Sequence, residues 1–404
     1  MSTFNGKILE IPEISVDCFE NANNLDSLVY FLSHCHTDHM RGLSDWRFQN
    51  SLLERPDVYL YATPISVRIL NHRYPQLEAK LIEIATSNST LIKIPYKNTH
   101  LTVTALPAGH CPGSVMFLFE TASKNILYTG DYRVSASDLR KYNAFYSMGE
   151  VKRIDKMYLD TTFFNRSYFK LPPRSDSISK ICTVIDKWIK QSPAHIINIK
   201  PSATYGSEFL FMEISKIVGM PIHVNSKTYN LYKRIPEMDE TVTLSATTQL
   251  HANCGSEFKE ICKKDKALIR TIIPSTLYWK NRNTDSDCIE IGETGCYRVC
   301  YSCHASLEEI EEFLSFLKPV EVEPCVVPSS PREKEEMFDL LEKVMSTYQS
   351  RRLEEEEESK LFKQVENAPN TPEKSECEWD DVLGSPVNNF KRKRLWLQDD
   401  DGDE

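Results

Sequence analysis

FLSHCHTDHM, from Phe31 to Met40, places His34, His36, Asp38 and His39 within six residues. The stretch closes an apolar run, SLVYFLSH, that reads as a strand. A lone histidine on a loop is an ordinary polar group. Four imidazole and carboxylate side chains this close form a metal-ligand cluster, because a cation needs several such donors converging on one point. An apolar strand that delivers ligands at its end holds them rigidly.

The arrangement recurs along the chain. HLTVTALPAGHCPGSVMFLFET reads as two strands with His110 between them. NILYTGDY carries Asp131 at its end, KMYLDTTF carries Asp160, and YRVCYSCH carries His304. Taken alone, His110 reads as a buried, hydrogen-bonded histidine. Its shared placement with four other ligand types makes it a site residue, since open α/β sheets carry their sites at the carboxyl ends of strands. Helical periodicity in SISKICTVIDKWIKQ and YGSEFLFMEISKIVG alternates with the strand runs HIINIK and PIHVN. Ser306, with Glu309 three residues on, predicts a capping box opening the helix LEEIEEFLSFL. The fold class is α/β.

At 404 residues and 41% hydrophobic, the chain is large enough for more than one folding unit. Its opening, MSTFNGKILEIPEISVD, lacks a basic segment followed by an apolar one, and no apolar run approaches membrane-spanning length. The expectation is an intracellular chain, not attached to a membrane, with its 12 cysteines mostly reduced. The net charge of −10 is concentrated at one end. Arg351 to Glu404 holds 16 acidic and 9 basic side chains, which leaves about −3 for everything before it. A local basic face is compatible with that balance.

His34-x-His36-x-Asp38-His39, His110 in GHCPGS and Asp131 in YTGDYR together resemble the metallo-β-lactamase fold. Asp160 in YLDTTF and His304 in YSCHAS resemble the further motifs of its β-CASP branch, whose members cut nucleic acids. The resemblance runs from about Ile14 to Pro328 and is closest to the DNA-repair family within that branch. It implies a metallo-β-lactamase αββα sandwich with an inserted α/β β-CASP domain. Residues 1–155 and 301–348 are expected to form the sandwich, 156–300 the insert, and 349–404 a disordered acidic tail with a basic run.

Site roles follow from the same resemblance. His34, His36, His110 and Asp131 match a first metal site; Asp38, His39 and the shared Asp131 match a second. Imidazole with carboxylate suits Zn²⁺, with Mg²⁺ or Mn²⁺ as ions that support activity. A bound metal would make hydroxide available near neutral pH for attack on phosphorus. Asp160 is expected to orient a histidine, namely His39. His304 either completes the second site or protonates the leaving oxygen. Asp17 reads either as a turn aspartate or as a support for the histidine-rich loop.

The implied activity is that of a metal-dependent DNA nuclease. A small thioester hydrolase on this fold lacks the roughly 140 residues between Asp160 and His304. RNA-cutting relatives carry His in a late motif where VEPCVVP offers Val326, as DNA-cutting relatives do. A binding subunit without activity would have lost metal ligands, and none is missing. PAGHCPG, against the ANHCPG of 5′-exonuclease relatives, favours a structure-specific endonuclease acting on hairpins, overhangs and single-strand to double-strand junctions. The expected setting is double-strand break repair by end joining. Exonuclease action in cross-link repair is the alternative.

Candidate DNA contacts are the Tyr205–Gly206 turn, Lys200, Arg41, the hydroxyls of Ser275 and Thr276, and the ring of Trp279 as a stacking surface or a core residue. The endonuclease branch also carries a Cys₂His₂ zinc site in its insert. His223 in PIHVN, His251 and Cys254 in QLHANCG, and Cys262 in EICKKD match it, with a longer His-to-Cys gap and a shorter segment up to Cys262. In the tail, FKRKRLW reads either as a nuclear-localisation run, Lys391 to Arg394, or as a solvated charge cluster. The apolar residues of EWDDVLGSPVNNF read as partner-binding. Through such tails the family recruits a DNA-dependent protein kinase and an end-joining DNA ligase.

Overall fold

A computed structural model of the 404-residue chain describes residues 2–201, 206–252, 254, 266–284, 287–292 and 295–366, with 349–366 described by backbone alone. Two units are distinguished, Met1–Leu353 and Glu354–Glu404. Every described site residue lies in the first.

Four parallel strands form the first sheet, in the order β1 (Ile14–Val16), β2 (Val29–Leu32), β3 (Leu60–Ala62) and β4 (Leu81–Glu83). The second sheet opens with the antiparallel run β5 (Ser89–Lys93), β6 (His100–Pro107), β7 (Val115–Glu120) and β8 (Asn125–Tyr128). A small hairpin follows, β9 (Tyr146–Ser147) and β10 (Glu150–Val151). The chain then re-enters the second sheet as β11 (Lys156–Leu159), parallel to β8.

The inserted domain comes next. Its sheet holds β12 (Ile196–Ile199), β13 (Ile222–His223), β14 (Val242–Thr243), β15 (Leu250–Ala252), β16 (Ile269–Ser275), β17 (Ile289–Ile291) and β18 (Cys296–Cys300). The spatial order is β14-β13-β15-β12-β16-β18-β17, parallel except for the edge strand β17. The chain returns through the helix Leu307–Leu317, opened by the expected Ser306–Glu309 capping box, and β19 (Glu321–Pro324) pairs with β11.

Side-chain alternation explains why the strands read as continuous apolar runs. On β2, Val29 and Phe31 face the second sheet, while Tyr30 and Leu32 face the helices Trp46–Glu54 and Pro64–Arg73. On β7, Val115, Phe117 and Phe119 face inward, and Met116 and Leu118 meet the helix Leu307–Leu317. Both faces of each sheet are therefore covered, which makes an αββα sandwich. Each large side chain buried this way contributes about 1.5–3 kcal/mol.

Two expected boundaries shift. Lys156–Leu159 belongs to the sandwich, so the insert begins later than residue 156; its first long helix is Arg174–Ile189. An apolar strand buried on both faces does not reveal from sequence which sheet it joins. The helix Pro331–Glu366 also runs past Tyr348, where disorder was expected to begin. Tyr348 is a buried residue of this helix, but the Glu, Lys, Arg and Leu residues beyond it are strong helix formers. The Lys391–Arg394 run and the apolar tail residues lie outside the described residues.

Candidate metal centre and cleft

The strand ends converge. His34 follows β2, His110 follows β6, Asp131 follows β8, Asp160 follows β11 and His304 follows β18. Glycines set two of these turns. Gly109 and Gly130 have φ of +66° and +51°, and a Cβ at either would press within 2.6 Å of Arg133 O or 2.8 Å of Ser33 Oγ. Only glycine turns the chain there and lets the next residue, His110 or Asp131, face the centre.

Asp131 is the hub. Its carboxylate lies 3.6 Å from His34 Nε2, 3.1 Å from His39 Nε2, 3.5 Å from His110 Nε2 and 3.9 Å from His304 Nε2. His110 Nε2 and His36 Nδ1 are 2.9 Å apart. Ligand atoms from His34, His36, His110 and Asp131 all lie within 4.8 Å of one another, as do those of Asp131, Asp160 and His304. Asp38 stands outside these sets. It lines the cleft and accepts the Ser2 N–H at 3.0 Å, which turns its carboxylate toward the chain start.

The electrostatics suit a cation. Burial, reinforced by His39 and His36, drives the His34 imidazole well below its ordinary range. Burial first also drives His36 to about 3 and His110 to about 4. These rings are neutral and keep lone pairs to donate. Burial opposes ionisation of Asp131, yet His39 and His304 hold its carboxyl well below the usual range. His34 Nε2 is buried without a hydrogen-bond partner. An orphaned ring nitrogen beside an ionised carboxylate is a costly arrangement that a bound metal ion would satisfy. The residues present fit a divalent cation.

Supporting groups fix the rings. Asp17 has φ +57° and is buried after β1. Its carboxylate accepts from the Ser33 N–H at 2.7 Å, the Ser33 hydroxyl, His39 Nδ1–H at 2.7 Å and the Tyr128 hydroxyl at 2.8 Å. The Asp17 carboxylate thus ties the His39 ring to Ser33 and Tyr128. Asp160 accepts from His304 Nδ1–H at 2.8 Å, so it holds His304; the sequence reading expected His39, whose Nδ1 is instead taken by Asp17. His110 Nδ1–H donates to Cys303 O at 2.9 Å. Arg133, buried beside the hub, pairs with Glu309 at 3.1 Å and donates to Ser302 O at 3.0 Å, locking the Asp131 loop to the returning chain.

The centre opens into a cleft of about 740 Å³ lined by both domains. The sandwich supplies Asp38, His72, Arg73 and Val326, and the insert supplies Gly206, Lys227, Ser275 and Thr276. Other DNA candidates fare differently. Thr276 Oγ1 donates to Tyr301 O at 2.8 Å. Lys200 is exposed but does not line the cleft. Arg41 turns away to Phe4 O and Glu20. Trp279 is 5% exposed and packs with Phe163, Tyr168 and Leu171 as core, so it offers no stacking face. Tyr205 lies outside the described residues. Arg73 and Lys227 escaped the sequence reading because an isolated cation on a helix carries no motif.

A second cluster sits in the insert. His223 Nδ1 and His251 Nδ1 are 3.0 Å apart, and Cys254 Sγ lies 3.5 and 4.0 Å from them. His251 Nε2–H donates to Thr248 O at 2.8 Å, which leaves Nδ1 as the acceptor nitrogen. Cys262 lies outside the described residues.

The family described as DNA repair metallo-beta-lactamase matches residues 237–330. Protein artemis of Mus musculus is 33% identical over 98% of this chain and 58% of its own length. Protein artemis of Homo sapiens is 35% identical over 81% of this chain and 50% of its own. The 5′ exonuclease Apollo of Gallus gallus is 29% identical over 80% of this chain and 64% of its own. The chain spans about half the length of the artemis proteins it matches.

Proposed function

The chain belongs, with artemis, to the DNA-repair metallo-β-lactamase family, and from that premise we propose that it is a metal-dependent DNA endonuclease that opens hairpins and trims overhangs. The observation that carries the reading is the Asp131 carboxylate, ringed by four imidazoles within 3.9 Å at the floor of a cleft shared with the insert. Val326, the residue type of DNA-cutting relatives, lines that cleft. Higher identity to artemis than to Apollo favours the endonuclease over the 5′-exonuclease.

His34, His36, His110 and Asp131 would hold the first ion, with His39 and the shared Asp131 placed toward a second. The donor chemistry is that of Zn²⁺, with Mg²⁺ or Mn²⁺ as alternatives that support activity. When bound, the metal supplies Lewis acidity toward water and a phosphodiester oxygen. Asp17 holds the His39 ring and Asp160 the His304 ring. Burial lowers the proton affinity of His304, but Asp160 and Asp131 outweigh it and raise the pKa. His304, anchored at Nδ1 by Asp160 and lining the cleft, would then be the group that gives a proton to the leaving sugar oxygen, leaving 3′-hydroxyl and 5′-phosphate ends. His223, His251 and Cys254, with Cys262, would hold a structural zinc.

Work in the nucleus follows from a DNA-repair role, with Lys391 to Arg394 as the import signal. The tail would contact a DNA-dependent protein kinase and an end-joining ligase. The test is a labelled DNA hairpin and an RNA of matched sequence, each with and without chelator. Chelator-sensitive opening of the DNA supports the reading. Preferential cutting of the RNA, or cutting that ignores the chelator, sinks it.

A further inference from the structure

Next to the catalytic cleft lies a second groove of about 730 Å³. The helix Pro64–Arg73 of the sandwich gives it Arg68 and His72, and the insert gives it Lys233 and Arg234. His72 lines both depressions, with Arg73 and Lys227 on the cleft side. Arg234 reaches across the domain boundary to within 3.3 Å of His72 Nδ1.

Five cationic side chains, Arg68, Arg73, Lys227, Lys233 and Arg234, thus line the cleft and the groove that meets it at His72, on a chain whose net charge is −10. Arg68, Arg73, Lys227 and Lys233 are exposed, and among the described residues none of them has a carboxylate within ion-pair distance. Among the described residues, Glu78 is the one acidic side chain lining the groove. Surface cations are normally interspersed with acids, because like charges repel. An uncompensated stripe on an acidic protein is a seat for a polyanion.

We propose that this groove is a phosphate-backbone track that holds substrate DNA beyond the scissile phosphate. The inference rests on the DNA reading above. It adds that the contacts are sequence-independent and come jointly from both domains, so substrate length outside the cleft contributes to binding.

The test uses the full chain and an Arg68→Glu, Lys233→Glu double variant. Both side chains are exposed, and neither touches the metal centre. Binding is measured by fluorescence anisotropy against salt, on a long-armed DNA junction and on one trimmed to the few nucleotides that fill the cleft. Each lost phosphate contact lowers the slope of log affinity against log salt by about 0.7 to 0.9, so the pair predicts a drop of about 1.4 to 1.8 on the long DNA. Affinity for the long DNA falls alike for unrelated sequences, and the trimmed DNA is bound and cut as by the parent chain. An unchanged slope on the long DNA overturns the track. So does an equal loss on both substrates. Binding is read without cleavage, so a parent chain that binds DNA here but never cuts it would sink the proposed function and leave the track standing.

Discussion

Glu208 connects the insert to the metal centre and gives that connection a pH signature. It is fully buried and opens the helix Glu208–Val218. Its two carboxylate oxygens accept the Gly206 N–H at 2.9 and 2.8 Å. Gly206 has φ +115°, and a Cβ there would sit 3.0 Å from His36 Nε2. The Gly206 carbonyl in turn accepts Cys303 Sγ–H at 3.2 Å. Burial pushes the Glu208 carboxyl from its ordinary 4.5 up to about 7. A carboxyl with a folded pKa above its unfolded one stabilises most below about pH 4.5, and that stability is lost as pH rises through about 7. At about 1.4 kcal/mol per pH unit, the loss between about pH 5.5 and about pH 8 is about 2 kcal/mol. Glu208→Gln keeps the size and an acceptor but cannot ionise. Urea denaturation of both full chains at the two pH values isolates the effect, since titrations common to both cancel. The stability difference should move by about 2 kcal/mol in favour of the variant on going to the higher pH. A difference that stays constant refutes the reasoning.

Four further outcomes are expected. His34→Ala or Asp131→Ala should abolish hairpin cleavage and lower the metal content, read by mass spectrometry, while circular dichroism stays unchanged. Asp17→Asn removes one acceptor oxygen from the carboxylate that serves His39, and should weaken metal retention or activity by about 10- to 100-fold. Cys254→Ala should lose close to one zinc per chain and lower the melting temperature; unchanged zinc and melting would rule that site out. Removing residues after Leu353 should leave hairpin cleavage by the remaining unit intact, because every described site residue lies before it.

Much of this was legible in the chain because ligands at strand ends combine two strong signals. Apolar runs mark the strands, and an isolated His or Asp after each marks what the strand delivers. The partnerships were not legible, because they depend on which strands lie side by side. β1 pairs with β2 in the register Val16↔Phe31, and this brings Asp17 level with Leu32 and beside Ser33. β11 pairs with β8 in the register Tyr158↔Tyr128, on the other side of the sandwich, so Asp160 reaches Tyr132 and His304 instead. Neither register is encoded in a motif. Trp279 stays between its two readings, stacking ring or core, for a related reason. A tryptophan near a polar loop reads equally as a stacking ring or as core until the cluster of Phe163, Tyr168 and Leu171 is seen to enclose it.

The two carboxylate–histidine pairs flank Asp131 but are not equivalent. In the Asp17–His39 pair both side chains are 2% exposed, and the aspartate is held by three further donors. For a ring this enclosed the role we propose is to fix the geometry of the centre. In the Asp160–His304 pair the aspartate is equally buried, but the imidazole is 23% exposed and lines the cleft. Asp160 Oδ1 is taken up by the Thr162 N–H and hydroxyl, at 2.9 and 2.6 Å, leaving Oδ2 for His304. A ring anchored at Nδ1 and open at its other edge can pass a proton to a bound molecule. Loss of Asp17 should therefore appear first in metal retention, and loss of Asp160 first in the pH profile of cleavage with the metal still bound. If Asp160→Ala releases metal as readily as Asp17→Asn, the two pairs share one role and His304 is a ligand rather than a proton donor.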